Sequence, residues 1–423
     1  MKKASTLRLL LILLITASLG GCTSNNEFSY LANVPEYMGF AEFRASFKSS
    51  PARSIEQAGK IYLKDQYLFI NELNEGIHVL DNTDPANPMK VVFYEIPGNV
   101  DIAIRGNILF ADSYVDLVAI DITDIRNPVE VGRLEMAFPQ VTAFPEDPEY
   151  PLGLVDYTKG VIVGWKIEQV SHTESYWNGW GWFGGRVSMD MANGGPEAGV
   201  QTGVGGSMAR FILNDQFLYA ITDPYVLKTL DVSDESQMVA IDSIQPWREM
   251  ETLFRLDDHL FIGTTTGMMI YDVKDAAHPL FVSNLDHVNA CDPVVVENDI
   301  AYVTLRSGNA CNGFSNQLDV IDVADLQNPK LLKSYPMFNP FGLGIDNGTL
   351  FICDGADGLK IYDVTNPLAI QSNLIAHFPA IDTYDVIPYN KVLLMVGQDG
   401  LFQYDYSDLQ DIRLLSHIEV SRP

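Results

Sequence analysis

Paired acids recur along this 423-residue chain in one form, Asp-x-x-Asp. They stand at Asp81/Asp84, Asp121/Asp124, Asp231/Asp234, Asp272/Asp275, Asp322/Asp325 and Asp405/Asp408, and Asn366 replaces the second acid after Asp363. Carboxylates so spaced can hold calcium. They can equally accept hydrogen bonds from the N–H groups of a turn where a strand must stop. Seven copies at a regular interval favour the turn. Asp354-Gly-Ala-Asp357-Gly358 resembles a cation loop in part, yet lacks a third oxygen ligand and a distal glutamate. The expectation is therefore no metal site and no cofactor, with calcium as the weaker alternative. No Gly-x-Ser-x-Gly elbow, Walker loop or His-Glu-x-x-His occurs, and the 7 histidines lie scattered without ligand spacing.

The elements that carry these acids are short. Each first acid closes an apolar run: 76–81, 116–121, 226–231, 267–272, 317–322, 358–363 and 400–405. The closing acids lie 40, 110, 41, 50, 41 and 42 residues apart. A period near 40 built from β-rich runs of five or six residues signals a repeat architecture. Gly, Pro and Asp break those runs before a fourth helical turn could form. Ahead of each run come two further strands around a polar turn, such as Arg105-Gly106-Asn107, Asn214-Asp215-Gln216 or Asp346-Asn347-Gly348, residues that tolerate positive φ. Behind it, Asp124-Ile-Arg-Asn-Pro128 or Asp325-Leu-Gln-Asn-Pro329 leads to a fourth strand. Four antiparallel strands per repeat make a propeller blade. The expected fold is all-β, a β-propeller of seven four-stranded blades, with six or eight as the neighbouring solutions.

Leu117-Val-Ala-Ile-Asp121 and Leu318-Asp-Val-Ile-Asp322 resemble the repeat of the LVIVD-repeat proteins. The resemblance spans all seven repeats, although the third and seventh lack the proline. It implies a propeller and, often, a bacterial surface lipoprotein; it brings no activity and no catalytic residues.

The first 21 residues stand outside the repeat. Lys2, Lys3 and Arg8 precede an apolar stretch, Leu9 to Leu19, in the manner of a secretory signal. Leu19-Gly20-Gly21-Cys22 resembles a lipobox, which implies cleavage before Cys22, a diacylglyceryl group on its thiol, acyl chains such as palmitate on that residue, and stable membrane anchoring. Thr23, in place of an aspartate, favours the outer membrane by analogy. The chain thus divides into a lipoprotein signal (1–21), a lipid-anchored tether (22–54) and a propeller (55–423) with an insert at about 139–206. Loss of the signal leaves 24 basic against 55 acidic residues, a net charge of −31. Such a surface repels phosphate backbones, so nucleic acid is not a partner. Export permits disulfides, and Cys291 and Cys311 flank a hairpin, Val294 to Thr304, that would bring them to one end. Cys353 falls on a buried strand.

Function is expected where the repeat breaks. Within the large insert, residues 153–167 read as an extra hairpin turning near Tyr157 to Gly160. The stretch from Tyr176 to Gly185 carries Trp177, Trp180 and Trp182 among glycines, aromatic platforms for sugars or for protein. The second departure is the loop 307–316. Both project from the face where the innermost strands begin, near Lys60, Asp101, Arg210, Thr252, Asp292, Gly342 and Asp385, with Asp112 and Arg306 ending second strands there. The ligand-binding set is Asp101, Arg210, Asp292, Arg306, Asp385 and the three tryptophans; the plainer reading is a solvated, salt-bridged rim. The favoured function is an outer-membrane or cell-surface binding or scaffold propeller that contacts an extracellular protein or glycan. The alternatives are an enzyme using the ring acids as general acid and base, and a subunit of an outer-membrane assembly held by the disc edge. Ring closure has two candidates: a strand from 42–48, or completion of the last blade by 413–418 alone.

Overall fold

In the computed structural model the described residues are 27–139, 147, 149–173, 204–205, 209–286, 293–306 and 315–421. They fall into two compact units, one drawn from Met1–Met38 and Thr142–Gly185, the other from Gly39–Val141 and Arg186–Pro423.

The larger unit is the propeller. Its seven blades span 58–95, 102–134, 211–244, 250–286, 294–336, 343–378 and 383–419. Blade 2 shows the plan: Ile102–Arg105, Ile108–Ser113, Asp116–Asp121 and Val129–Leu134 pair antiparallel in that order. The first turn of each blade takes the predicted left-handed backbone, with positive φ at Asp65, Gly106, Asp215, Asp257, Asn298, Asn347 and Asn390. The third strand opens on glycine where it can. At Gly76 φ is +142° and an added Cβ would sit 1.9 Å from the Tyr94 carbonyl oxygen, so only glycine fits.

One regularity escapes sequence inspection. In every blade the register shifts by one residue between the third and fourth strands. The bulged residue is always aliphatic: Val91, Val131, Ile241, Val282, Leu332, Ile375 and Leu415. A bulge bends and twists an outer strand, which discourages edge-to-edge pairing.

The core lies between blades. Phe69, Ile77, Val79 and Tyr94 of blade 1 meet Ile102, Ile104, Leu109, Val118 and Ile120 of blade 2. Each such side chain contributes about 1.5–3 kcal/mol by burial. The ring closes as the second candidate required. Arg413–Glu419 completes blade 7 by itself, and apolar packing joins Ile387, Leu394 and Leu401 to Ile61, Leu68 and Ile70 of blade 1. Asn82 and Gln403 exchange side-chain hydrogen bonds across that seam at 2.9 and 2.7 Å. The segment expected as tether is built into strands and a short helix from Glu27 onward. Phe40–Arg44 is helical, and Lys48–Pro51 pairs with the outer strand of blade 1 rather than with blade 7.

The smaller unit corrects the expected hairpin in 153–167. The turn exists, with Lys159 N–H donating to the Asp156 carbonyl, but the strand after it, Val161–Thr173, pairs with Glu27–Met38 over its full length. Pro151 and Gly153 leave the segment before the turn little strand propensity. It makes only a short parallel bridge, Leu152 to Asn33. Asn33 is buried and its amide donates to the carbonyls of Asp147 and Tyr150.

Candidate functional site

The rim where the innermost strands begin carries two polar clusters. The first crosses blades 1 to 3. Lys60 Nζ lies 2.5 Å from Asp101 Oδ2, and both side chains are nearly buried. The same oxygen accepts the Arg210 backbone N–H at 2.8 Å, while Oδ1 accepts that of Ile102. One carboxylate therefore ties three consecutive blades. Burial pushes the Lys60 ammonium below its usual range, and Asp101 opposes that shift. Arg210 also donates to the Ile221 carbonyl at 3.2 Å.

Beneath Asp101 stands Asp112, at the end of the second strand. Its Oδ1 accepts the N–H groups of Val100 and Asp101 at 2.7 and 2.9 Å, and the Asn99 amide at 2.9 Å. Burial, helped by the Asp101 charge, raises the Asp112 carboxyl to about 6 against those donors. Buried Asn99 also receives the Asn71 amide at 2.7 Å.

Acids at this point in a blade repeat a task. Glu72 of blade 1 accepts the N–H groups of Glu56 and Gln57, which lead into its own blade, and pairs with His78 at 2.7 Å. Burial alone would raise its carboxyl, but the bonds from His78 and the two N–H groups hold it below the usual range. Asp354 of blade 6 does the same for Phe338 and Asn339 at 2.8–3.1 Å. Glu72, Asp112 and Asp354 are latches that fix the incoming chain. Sequence reasoning passed over Glu72 and gave Asp354 a different role. The signal available was an acid within one residue of the end of the second strand.

The second cluster spans blades 5 to 7. The Arg306 guanidinium lies 3.9 Å over the Phe341 ring, and that ring meets Tyr384 at 5.6 Å. Asp385 is fully buried. It lies against Gly342, whose added Cβ would stand 2.1 Å from Asp385 Oδ1. Burial, then the Asp385 charge, pushes the Cys353 thiol well up, which suits an inert buried cysteine.

Of the residues expected to form one binding ring, Asp101 and Arg210 are neighbours, whereas Arg306 and Asp385 belong to the other cluster. Asp292, Trp177, Trp180, Trp182, the lipidation residue Cys22 and the Cys291/Cys311 pair lie outside the described residues. Between Asp354 and Asp357, where a cation loop was weighed, the Lys360 ammonium contacts both carboxylates. Among the described residues no cluster of His, Cys, Asp and Glu is grouped as a metal would need.

The LVIVD repeat model matches residues 98–135 and 291–336, which contain blades 2 and 5. No curated protein matches the chain. Among solved structures, a protein from Lactobacillus plantarum is 11% identical, with 87% of this chain and 97% of that one covered at a TM-score of 0.55. The β-propeller domain of Cps50 (Swd1) from Myceliophteria thermophila is 9% identical, covering 85% and 99% at 0.51. The computationally designed Ika8 protein is also 9% identical, covering 87% and 91% at 0.51. At such identities the likeness is one of fold. With its matched repeats and seven four-stranded blades, this chain is a β-propeller that carries LVIVD repeats.

Proposed function

We propose that this propeller is an exported, lipid-anchored binding or scaffold protein of the outer membrane or cell surface, engaging an extracellular protein or glycan through the face that bears its inserts. The observation that carries the reading is how the rim acids are used. Asp101, Asp112, Glu72 and Asp354 hold backbone N–H groups and buried cations, so they build a rigid platform. A rigid disc with variable loops suits recognition, because ordering costs are met before binding. Cys22 would anchor the chain, Cys291 and Cys311 would clamp one loop, and Trp177, Trp180 and Trp182 would supply contact area.

The test has two arms in the full chain. Metabolic labelling with an alkyne fatty acid should mark the wild type and not Cys22→Ser; an unlabelled wild type would end the anchoring proposal. Capture of surface partners from detergent extracts should fall at least tenfold when 174–203 is replaced by a short Gly-Ser linker. Unchanged capture would move the contact to the disc edge.

Acid–base catalysis is the second reading, and one observation favours it. Burial raises the Asp112 carboxyl to about 6, the direction a general acid requires, and Asp101 stands beside it paired with Lys60. Release of reducing sugar from surface glycans that is lost in Asp112→Asn would support it; equal release by both proteins would discard it.

A further inference from the structure

The face opposite Asp101 and Asp112 carries the first turns and the acid-ended strands, and there one position bridges three of the junctions between blades. It is the last residue of the first strand. In blade 2 this is Arg105, whose guanidinium crosses to blade 3 and donates to the carbonyls of Asp215 and Val232 at 3.1 and 2.6 Å and to Glu235 at 3.0 Å. In blade 5, Glu297 crosses to the N–H groups of Asn347 and Gly348 in blade 6 at 2.9 and 2.7 Å. In blade 6, Asp346 crosses to Lys391 and Tyr406 of blade 7 at 2.6 and 3.0 Å.

Blade 1 stands outside this group, as do blades 4 and 7, whose residues at the position are Leu256 and Tyr389. In blade 1 the residue here is Lys64, which is nearly buried and pairs with its own neighbour Asp65. Where the bridge would run to blade 2, a cleft of about 480 Å³ opens, lined by Tyr67, Asp81, Gly106, Ile122, Asp124 and Arg126 among others. Gly106 and Ile122 are the counterparts of Asp215 and Val232. The equivalence is fixed by the same strand-end bond in both blades, Ile122 N–H to the Asn107 carbonyl and Val232 N–H to that of Gln216, each 2.8 Å. The two carbonyls that Arg105 reads in one junction thus have counterparts in the junction before it, while Ile125 stands in place of Glu235 and the carboxylates come from Asp81 and Asp124 on the walls.

The walls supply charge. Thr83 donates its hydroxyl and N–H to Asp81, and Asn127 and Arg126 donate to Asp124, which holds both carboxyls below the usual range. Lys64 is answered by Asp65, and Arg126 turns to the Val91 carbonyl at 3.5 Å. A planar fork of N–H donors matches two carbonyls beside a carboxylate better than a single ammonium does.

We propose that the cleft between blades 1 and 2 is a docking site for an arginine side chain presented by a protein partner, seated as Arg105 is seated one junction further on. This contact lies on the face away from Asp101 and Asp112 and stands or falls independently of the proposed function.

The probe is N-acetyl-arginine-N-methylamide, titrated into the full chain by calorimetry against its uncharged isostere, N-acetyl-citrulline-N-methylamide, and against free arginine. The expected result is saturable binding of the blocked arginine, at least tenfold tighter than citrulline and no weaker than free arginine. Lys64→Arg, which supplies the missing internal bridge, should abolish it, as should Thr123→Trp at the exposed mouth. Three results would overturn the proposal: absence of saturation at 50 mM ligand (about 2 kcal/mol of binding or less by the usual affinity conversion), equal affinity for citrulline, or undiminished binding in both variants. Preference for free arginine would instead mark a metabolite site and overturn the protein partner.

Discussion

The two faces of the propeller use carboxylates in opposite ways. On the turn face they are repeated, half-exposed and alike. Asp81, Asp121, Asp231, Asp272, Asp322, Asp363 and Asp405 each accept the N–H two residues on at 2.8–3.0 Å. On the rim they are irregular and individually bonded, with Asp101, Glu72 and Asp354 buried and Asp112 half-buried. Repetition on one face produces a fold. Stability is more concentrated on the other, because a buried charge that loses its partner costs far more than an exposed one.

The sharpest way to break that contrast is Lys60→Met. Asp101 would remain buried with its ammonium partner gone, at a cost of about 3–5 kcal/mol. The double variant Lys60→Met/Asp101→Asn keeps an acceptor for the N–H groups of Ile102 or Arg210 without the stranded charge, and should recover more than half of the loss. Urea denaturation of the three proteins measures both quantities. A loss for Lys60→Met no larger than that of a turn-face variant would erase the distinction between the faces.

Asp112→Asn should act in the reverse direction. The folded carboxyl titrates near 6, above its ordinary range near 4. Between those values the folded chain holds a proton that the unfolded chain has released, so stability falls as pH rises through that window. Asparagine retains the acceptor that serves Val100, Asp101 and Asn99 while removing the charge. The variant should therefore be more stable than wild type by about 1–3 kcal/mol at pH 7.5, and the advantage should vanish below about pH 4. An advantage that persists at low pH would mean that packing, not ionisation, is responsible.

The fold was legible because its signals are local and repeated. Acid-ended runs, Asn-Gly-type turns and a period near 40 residues each point to the same blade, and agreement across levels is what specifies a fold. The partner of Val161–Thr173 was not legible. A strand carries no address for a mate more than a hundred residues away, and the nearby turn at 156–159 suggested a local one. The candidate site was half legible. Counting from the repeat brought Asp101 and Arg210 together, since both begin innermost strands. It could not reveal that Asp101 would be consumed by Lys60 and two N–H groups, nor that Arg306 would stack on Phe341. Those facts depend on side-chain reach across blades, which periodicity does not encode. The missing bridge at Lys64 escaped for a related reason: its meaning lies only in comparison with Arg105, Glu297 and Asp346.

The smallest expected effect belongs to the repeated face and tests whether its acids are turn caps. At Asp121 the hydroxyl and N–H of Thr123 hold the carboxyl below its usual range. A carboxyl depressed by folding contributes stability that is complete above its unfolded pKa, near 4, and disappears as pH falls through the lower folded value. Asp121→Asn should therefore melt slightly below wild type at pH 7, and the two melting curves should converge as pH falls towards 3. Salt should narrow the gap at pH 7 only in part, because a cap acts through hydrogen bonds at contact distance while long-range repulsion from neighbouring turns is screened. If the variant melts above wild type at pH 7, mutual repulsion among the seven turns outweighs capping. The repeated acids would then be retained for their collective charge, and the arginine cleft between blades 1 and 2 would gain a stronger electrostatic setting.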